Sequence, residues 1–216
     1  MRIVEIFHSL QGEGLLVGAP SVFLRIAGCP LKCKWCDTKY AWDKNAGEEY
    51  TIKKIIEQVT NYHCDHIVVT GGEPMTNPEL PLLLAELKKA GLHITIETAG
   101  FEYLQKLPCD LMSISPKLTN SGQKSHLDIE ALTKLINEYE YQLKFVIDTP
   151  DDLAEVKQLI KQIGNVEKRK IMLMPQAATR EELLKKSKMV AEICKENNYV
   201  FCQRLHITLW NGQKGR

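Results

Sequence analysis

Three cysteines, Cys29, Cys33 and Cys36, fall in the stretch Gly28-Cys29-Pro30-Leu31-Lys32-Cys33-Lys34-Trp35-Cys36-Asp37-Thr38. A C-x3-C-x2-C spacing lets three thiolates turn toward one point, and a soft thiolate set selects zinc or an iron–sulfur cluster. No histidine lies in the loop to complete a tetrahedral zinc site. A structural zinc takes four protein ligands, whereas three cysteines on a four-iron cube leave one iron open to a small molecule. The competing arrangement is a three-cysteine zinc loop with a fourth ligand from elsewhere, Cys64 or His63.

Other residues of chemical type stand where strands are expected to end. Leu10-Gln11-Gly12-Glu13-Gly14 follows a short alternating strand at 2–7, and its glycines suit either a tight turn or close backbone approach to a planar ligand. Gln11 offers the paired donor and acceptor that a pterin or purine edge would match. Arg25 shares a strand face with Phe23, opposite Val22, Leu24 and Ile26, and on a cavity wall it would be a fork for a carboxylate. Thr70-Gly71-Gly72-Glu73-Pro74 closes the compact strand 66–70. Glu97 stands near the end of strand 92–97, reaching a ribose or capping a turn, and Ser115-Pro116-Lys117 closes a strand at 111–115. His206 follows the last strand, at 199–202.

The elements that must position these groups alternate strand and helix. Thr51 is expected to cap a helix over 51–62 with Ile52, Ile55, Ile56 and Val59 buried, and Asn77 to cap a helix with Pro78 first and Leu82, Leu83 and Leu87 inward. A helix at 128–138, a strand at 142–147, a helix at 151–162 and a strand at 170–174 follow, and Thr179 with Glu182 forms a capping box for a helix reaching about 197. The pattern predicts an α/β fold: a parallel sheet curled into a partial, incomplete β/α barrel with about six core strands between Ser21 and Met174 and reduced helices. No repeat or low-complexity linker divides the chain, so 1–216 reads as one domain, with a substrate-binding segment at 1–20 and a C-terminal extension at 199–216.

Composition narrows the function classes. Twenty-eight basic against 27 acidic side chains leave a net charge of +1, no general field for nucleic acid or an anionic membrane. An odd count of seven cysteines suits a reducing compartment better than a disulfide framework. With no apolar leader and no run of 18 apolar residues, the chain reads as cytoplasmic.

The cysteine triad with Gly71-Gly72-Glu73-Pro74 resembles the radical S-adenosylmethionine (SAM) superfamily. Leu10 to Gly14, Arg25, Cys36-Asp37-Thr38, Thr70, Glu97-Thr98, Ser115 to Lys117 and Leu205-His206 narrow the resemblance to the 7-carboxy-7-deazaguanine synthase family, over nearly the whole chain. The resemblance implies a carbon–nitrogen lyase that contracts the ring of 6-carboxy-5,6,7,8-tetrahydropterin to 7-carboxy-7-deazaguanine, releasing ammonia, on the route to queuosine. It implies a [4Fe–4S] cluster on Cys29, Cys33 and Cys36, magnesium at Thr38, and SAM against Trp35, Cys36, Asp37, Gly72, Glu73, Ser115, Pro116, Lys117, Met174 and Gln176. Substrate falls to Leu10, Gln11, Gly12, Glu13, Arg25, Thr70 and His206. A homodimer served by a one-electron donor such as flavodoxin is also implied, with neither nucleic acid nor membrane as partner. Two departures stand out: Met174 occupies a position where relatives often carry glutamine, with Gln176 the nearby substitute, and the chain continues past Leu205-His206 to Arg216. The rivals are another small radical SAM enzyme, such as a glycyl-radical activating enzyme, and a non-catalytic zinc or iron–sulfur module.

Overall fold

The computed structural model describes residues 1–213 and Gly215. Nine strands form one sheet: β1 (Arg2–Leu10), β2 (Pro20–Ile26), β3 (Glu48–Glu49), β4 (His66–Gly71), β5 (His93–Thr98), β6 (Leu111–Ile114), β7 (Tyr141–Ile147), β8 (Ile171–Pro175) and β9 (Val200–Phe201), in the order β3-β1-β2-β4-β5-β6-β7-β8-β9. The six core strands expected between Ser21 and Met174 are β2 and β4 to β8, each parallel to its neighbour. β9 extends the parallel set, and β1 and β3 add an antiparallel edge. Because the parallel strands lie in chain order, every loop that follows one of them leaves the same end of the sheet.

Helices fill most crossovers: α1 (Ile52–Thr60), α2 (Leu80–Lys89), α3 (Ile129–Glu138), α4 (Asp152–Ile163), α5 (Arg180–Asn197) and, after β9, α6 (Leu205–Trp210). Their starts follow capping chemistry. Thr51 accepts from the Lys54 amide, Asp128 from that of Ala131, and Thr179 with Glu182 makes the reciprocal box. The link from β5 to β6 carries no α-helix, as its length foretold.

Four expectations are corrected. β1 continues through Leu10 rather than ending at residue 7, because its whole length pairs with β2 up to Leu10 opposite Pro20. Asn77 does not cap α2: Pro74–Thr76 forms a 3-10 turn, Asn77 Oδ1 accepts from the Glu79 amide, and the helix begins at Leu80. That shift of phase buries Leu80, Leu83, Leu84 and Leu87 and leaves Leu82 58% exposed. The last strand shortens to two residues, and the chain turns into α6, which places His206 on a helix.

The two faces of the sheet differ in kind. Toward the helices, Val22, Leu24, Ile26, Ile67, Val69, Ile94, Ile96, Met112, Ile114, Leu143, Phe145 and Leu173 pack against Ile55, Val59, Leu83, Leu132, Leu135, Val156, Leu159 and Val190. Each such side chain contributes about 1.5–3 kcal/mol of transfer free energy. The alternate positions of the same strands carry Glu5, Arg25, Thr70, Glu97, Ser113, Gln142 and Lys144.

That second face is concave. β1 and β7 stand five places apart in the sheet, about 24 Å at ~4.8 Å per strand if it were flat. Yet Lys144 of β7 meets Glu13, three residues beyond β1, at 3.0 Å, and Gln142 accepts from the Leu15 amide at 2.7 Å. The sheet has curled until the loop after its first strand touches its far side, and the polar face lines the resulting lumen. Replacing Leu83 by Ala should cost about 2–5 kcal/mol in urea unfolding, whereas Leu82→Ala should stay within about 0.5 kcal/mol; equal losses would contradict the helix phase.

Candidate active site

The cysteine loop leaves β2 and the double-glycine loop leaves β4 at adjacent points of one sheet end. Gly72 N donates to Ile26 O (2.8 Å) and Glu73 N to Gly28 O (2.8 Å), so the second loop lies on the backbone of the first. A Cβ on Gly71, whose φ is +149°, would come within 2.2 Å of Ile26 O, and one on Gly72 within 1.9 Å of Gly28 O. Only glycines permit this approach. The cysteine loop is held from its other sides by Gly28 N to Ala41 O (2.9 Å), Cys29 N to Trp42 O (3.1 Å) and Lys34 N to Ser121 O (3.0 Å).

All three cysteines are free thiols, with Cys33 buried and Cys29 and Cys36 half-buried. Burial pushes the Cys29 thiol up to about 11 and raises that of Cys33 as well; a coordinated iron reverses this, since metal ligation deprotonates a thiol outright. His63 and Cys64 sit at the opposite end of the sheet, ahead of β4, where the Cys64 thiol donates to Pro20 O (3.2 Å). Neither can complete a zinc site with the triad. Cys202, just past β9, is at the triad's end of the sheet, but its sulfur accepts from the Gly14 amide (3.2 Å).

Around the loop stand the other expected residues. Trp35 packs on Val146, Met172, Met174 and Cys202, with the Lys117 ammonium 5.6 Å from its ring centre. Its indole N–H is buried and has no partner among the described residues, an uncompensated donor that a bound molecule could take. Lys117 Nζ is held by the carbonyl (2.8 Å) and hydroxyl (3.0 Å) of Ser115, and Pro116 between them is buried. Thr38 Oγ1 lies 3.6 Å from Cys36 Sγ. Glu73 is turned inward: its carboxylate accepts from Thr98 Oγ1 (2.7 Å), Ala99 N (2.7 Å) and Met75 N (3.2 Å). Burial raises its pKa in spite of these donors. Glu73 thereby ties the loop after β4 to the loop after β5. The Gln176 carboxamide oxygen is taken by Lys186 of α5 (2.6 Å), so Gln176 does not join the group around Trp35, whereas Met174 does.

In the lumen the N-terminal residues meet partners from four strands. Glu13 accepts from Lys144 Nζ (3.0 Å) and Arg204 Nε (3.1 Å); Lys144 also donates to Glu97 (2.8 Å), which accepts from Ser113 Oγ (3.0 Å). Burial opposes ionisation of Glu13, yet the facing Lys144, Arg204 and His206 outweigh it and hold the carboxyl well below its usual range. Burial likewise works against the Lys144 charge, but Glu97 and Glu13 reverse it and keep the ammonium protonated. Gln11 folds back, its Oε1 accepting from Glu13 N (3.2 Å), with Nε2 3.5 Å from Glu97 Oε1. Glu97 therefore caps no turn. Gly12 lies under His206, where a Cβ would meet Nδ1 at 2.2 Å, and its carbonyl accepts from Leu205 N (2.8 Å). Burial lowers the pKa of His206 although Glu13 pulls the other way.

Arg25 faces the lumen opposite Thr70, as the alternation required. Its Nε donates to Glu5 Oε1 (2.6 Å), the oxygen that also accepts from Tyr40 OH (2.8 Å). Among the described residues no hydrogen bond reaches its two terminal nitrogens, the prongs that grip a carboxylate.

Sequence reasoning missed Lys144, Gln142, Ser113, Glu5, Tyr40 and Arg204. The first two left a signal: in Tyr141-Gln142-Leu143-Lys144-Phe145-Val146-Ile147, a strand buried along its length, two polar side chains share one face. Arg204 left none. It lies between a strand and a helix in sequence, and only the fold brings it to Glu13, to the Ala177 carbonyl and to Asp37 (2.9 Å).

Residues 24–122 match the family model described as the radical SAM superfamily. The 7-carboxy-7-deazaguanine synthase of Halobacterium salinarum is 36% identical over 98% of this chain and 91% of its own, and that of Rhodopirellula baltica 36% identical over 100% and 88%. The crystal structure of QueE from Escherichia coli superposes with a TM-score of 0.77 at 26% identity, covering 95% of this chain and 94% of that one. With a three-thiol loop, a double-glycine loop stacked upon it and a sequence shared end to end with these relatives, the chain belongs to the 7-carboxy-7-deazaguanine synthase family, lyases of the radical SAM superfamily.

Proposed function

We propose that this chain converts 6-carboxy-5,6,7,8-tetrahydropterin into 7-carboxy-7-deazaguanine with loss of ammonia, on the route to queuosine. The observation that carries this reading is that a carboxylate fork, Arg25, and a hydrogen-bonding lumen open at the same end of the sheet as the three-thiol loop. Family membership brings SAM and a [4Fe–4S] cluster as cofactors, and when bound they supply the one-electron chemistry that removes a hydrogen atom from substrate.

The chain's own residues bind, orient and exclude water. Cys29, Cys33 and Cys36 hold iron. Trp35 to Asp37, Gly72, Glu73, Ser115 to Lys117 and Met174 surround SAM, and Trp35 offers it the unpartnered indole N–H. Gln176 acts from outside that shell, through Lys186. Leu10 to Glu13, Thr70 and His206 hold the pterin, and the free prongs of Arg25 take its carboxylate. Thr38, a hard oxygen beside Cys36, serves magnesium. The whole of 1–216 acts as one catalytic unit, dimeric, cytoplasmic and fed by a one-electron donor such as flavodoxin; among the described residues no helix is long and apolar enough to cross a membrane. A glycyl-radical activating enzyme would need a wide groove for a peptide, and here Gly12, Gly14 and Glu13 are bonded to Leu205, Cys202 and Arg204 across that mouth.

The test is anaerobic reconstitution with iron and sulfide, then reduction with SAM and the carboxypterin. Appearance of the deazaguanine acid supports the reading, and a tetrahedral zinc protein without SAM cleavage would sink it. Cys33→Ala should lose the visible charge-transfer band, and Gly72→Ala should lower iron content per chain, because its Cβ meets backbone that cannot move aside. Arg25→Ala should raise KM for the carboxypterin roughly 10- to 100-fold, the worth of a charge-assisted hydrogen bond, while the SAM dissociation constant stays within about twofold; parallel loss of both would remove Arg25 from the substrate site.

A further inference from the structure

Beneath the site, two carboxylates and one ammonium are packed where burial makes charge expensive. Lys144 is 2% exposed and sits between Glu13 and Glu97, whose side chains remain 17% and 19% open to the lumen. From every side the groups facing this trio are identified: Gln11 and Glu13 beyond β1, Glu97 on β5, Ser113 on β6, Gln142 on β7, Cys202 and Arg204 beyond β9, and His206 on α6. Lys144 is wholly committed to the two carboxylates, and Gln142 braces the arrangement by donating to Ser113 Oγ (2.7 Å). Glu97 is not saturated. One of its oxygens accepts from Lys144 and Ser113, while the other has only the stretched 3.5 Å contact from Gln11, at the limit of a useful hydrogen bond.

We propose that Glu97 is a specificity-determining residue that accepts the adjacent N–H groups of a 2-amino-4-oxopyrimidine ring, and that Lys144 is the positioning residue that holds Glu97 ionised beside Glu13. This rests on the pterin reading above and deepens it. An ionised carboxylate is acceptor-only, and its two oxygens match two neighbouring donors such as the ring imide and exocyclic amine of a pterin. Two carboxylates so close cannot both ionise without a cation between them. Lys144 supplies that cation from below, out of reach of the ligand, so the acceptor edge of Glu97 stays turned to the lumen. Arg25 at the other strand end of the same face would meet the carboxylate, and the two contacts together would orient the ring.

Reconstituted full-length protein tests this by KM against pH, with SAM affinity and iron content as controls on folding. In Lys144→Met, Arg204 still neutralises Glu13, so Glu97 takes up a proton near neutrality and loses its acceptor edge. KM for 6-carboxytetrahydropterin should then rise roughly tenfold or more at pH 6.5 and fall back toward pH 9, a titration absent from the wild type. Lys144→Met/Glu97→Gln should show a raised but pH-independent KM. Glu97→Gln alone should raise KM and erase the preference for the pterin over the carboxylated tetrahydrolumazine, which carries oxygen in place of the 2-amino group. Should Lys144→Met hold no cluster, Glu97→Gln decides by itself. A wild type that cleaves SAM but does not bind the carboxypterin defeats the functional reading. A wild type that binds it, with a Glu97→Gln variant matching it in KM and preference, defeats this inference alone.

Discussion

The structure depends on one backbone contact: the loop after β4 resting on the loop after β2. Parallel strands in register deliver the two loops to adjacent points, and Gly71 and Gly72 remove the Cβ atoms that would hold them apart. The amides of Gly72 and Glu73 then bond to Ile26 and Gly28, which sets the path on which Cys29 begins. Glu73 extends the chain of contact to the loop after β5 through Thr98 and Ala99. Three successive strand ends are thereby locked to one another before any ligand arrives, so a cluster and a cofactor would bind to a shape already made.

A second constraint is the division of labour between the faces of the sheet. The face toward α1 to α5 is apolar and supplies the burial that stabilises the fold. The lumen face carries charges that would be destabilising if unpaired, and each is paired: Arg25 with Glu5, Lys144 with Glu13 and Glu97, Arg204 with Glu13 and Asp37. Buried pairs of this kind add little net stability and often subtract from it. Their presence marks the lumen as a place where position and protonation matter more than stability. Arg204 also closes the open side of the barrel, since it joins the segment beyond β9 to the loop beyond β1 and to the cysteine loop.

How far the sequence reached can be judged residue by residue. The cysteine triad, Gly71 to Pro74 and Arg25 were legible because each is local: spacing, a close-approach pair and strand alternation need no knowledge of what lies across the sheet. The caps at Thr51 and Thr179 were legible for the same reason. Asn77 misled because its side chain served a turn, a choice decided by the 3-10 segment at Pro74–Thr76 ahead of it. Glu13, Glu97 and Lys144 are 131 and 47 residues apart along the chain, and no periodicity relates them.

The sequence by itself determined the strand–helix alternation, the face on which each strand residue lies and the three thiols that share one loop, all consequences of backbone geometry over a few residues. Only the tertiary structure decided that the sheet would curl far enough to bring Glu13 onto Lys144, that Arg204 would reach Asp37, and that His63 and Cys64 would stand at the wrong end to serve the triad. Those outcomes turn on strand order and curvature, which arise from the packing of many distant side chains at once and are therefore written in no single stretch of the chain.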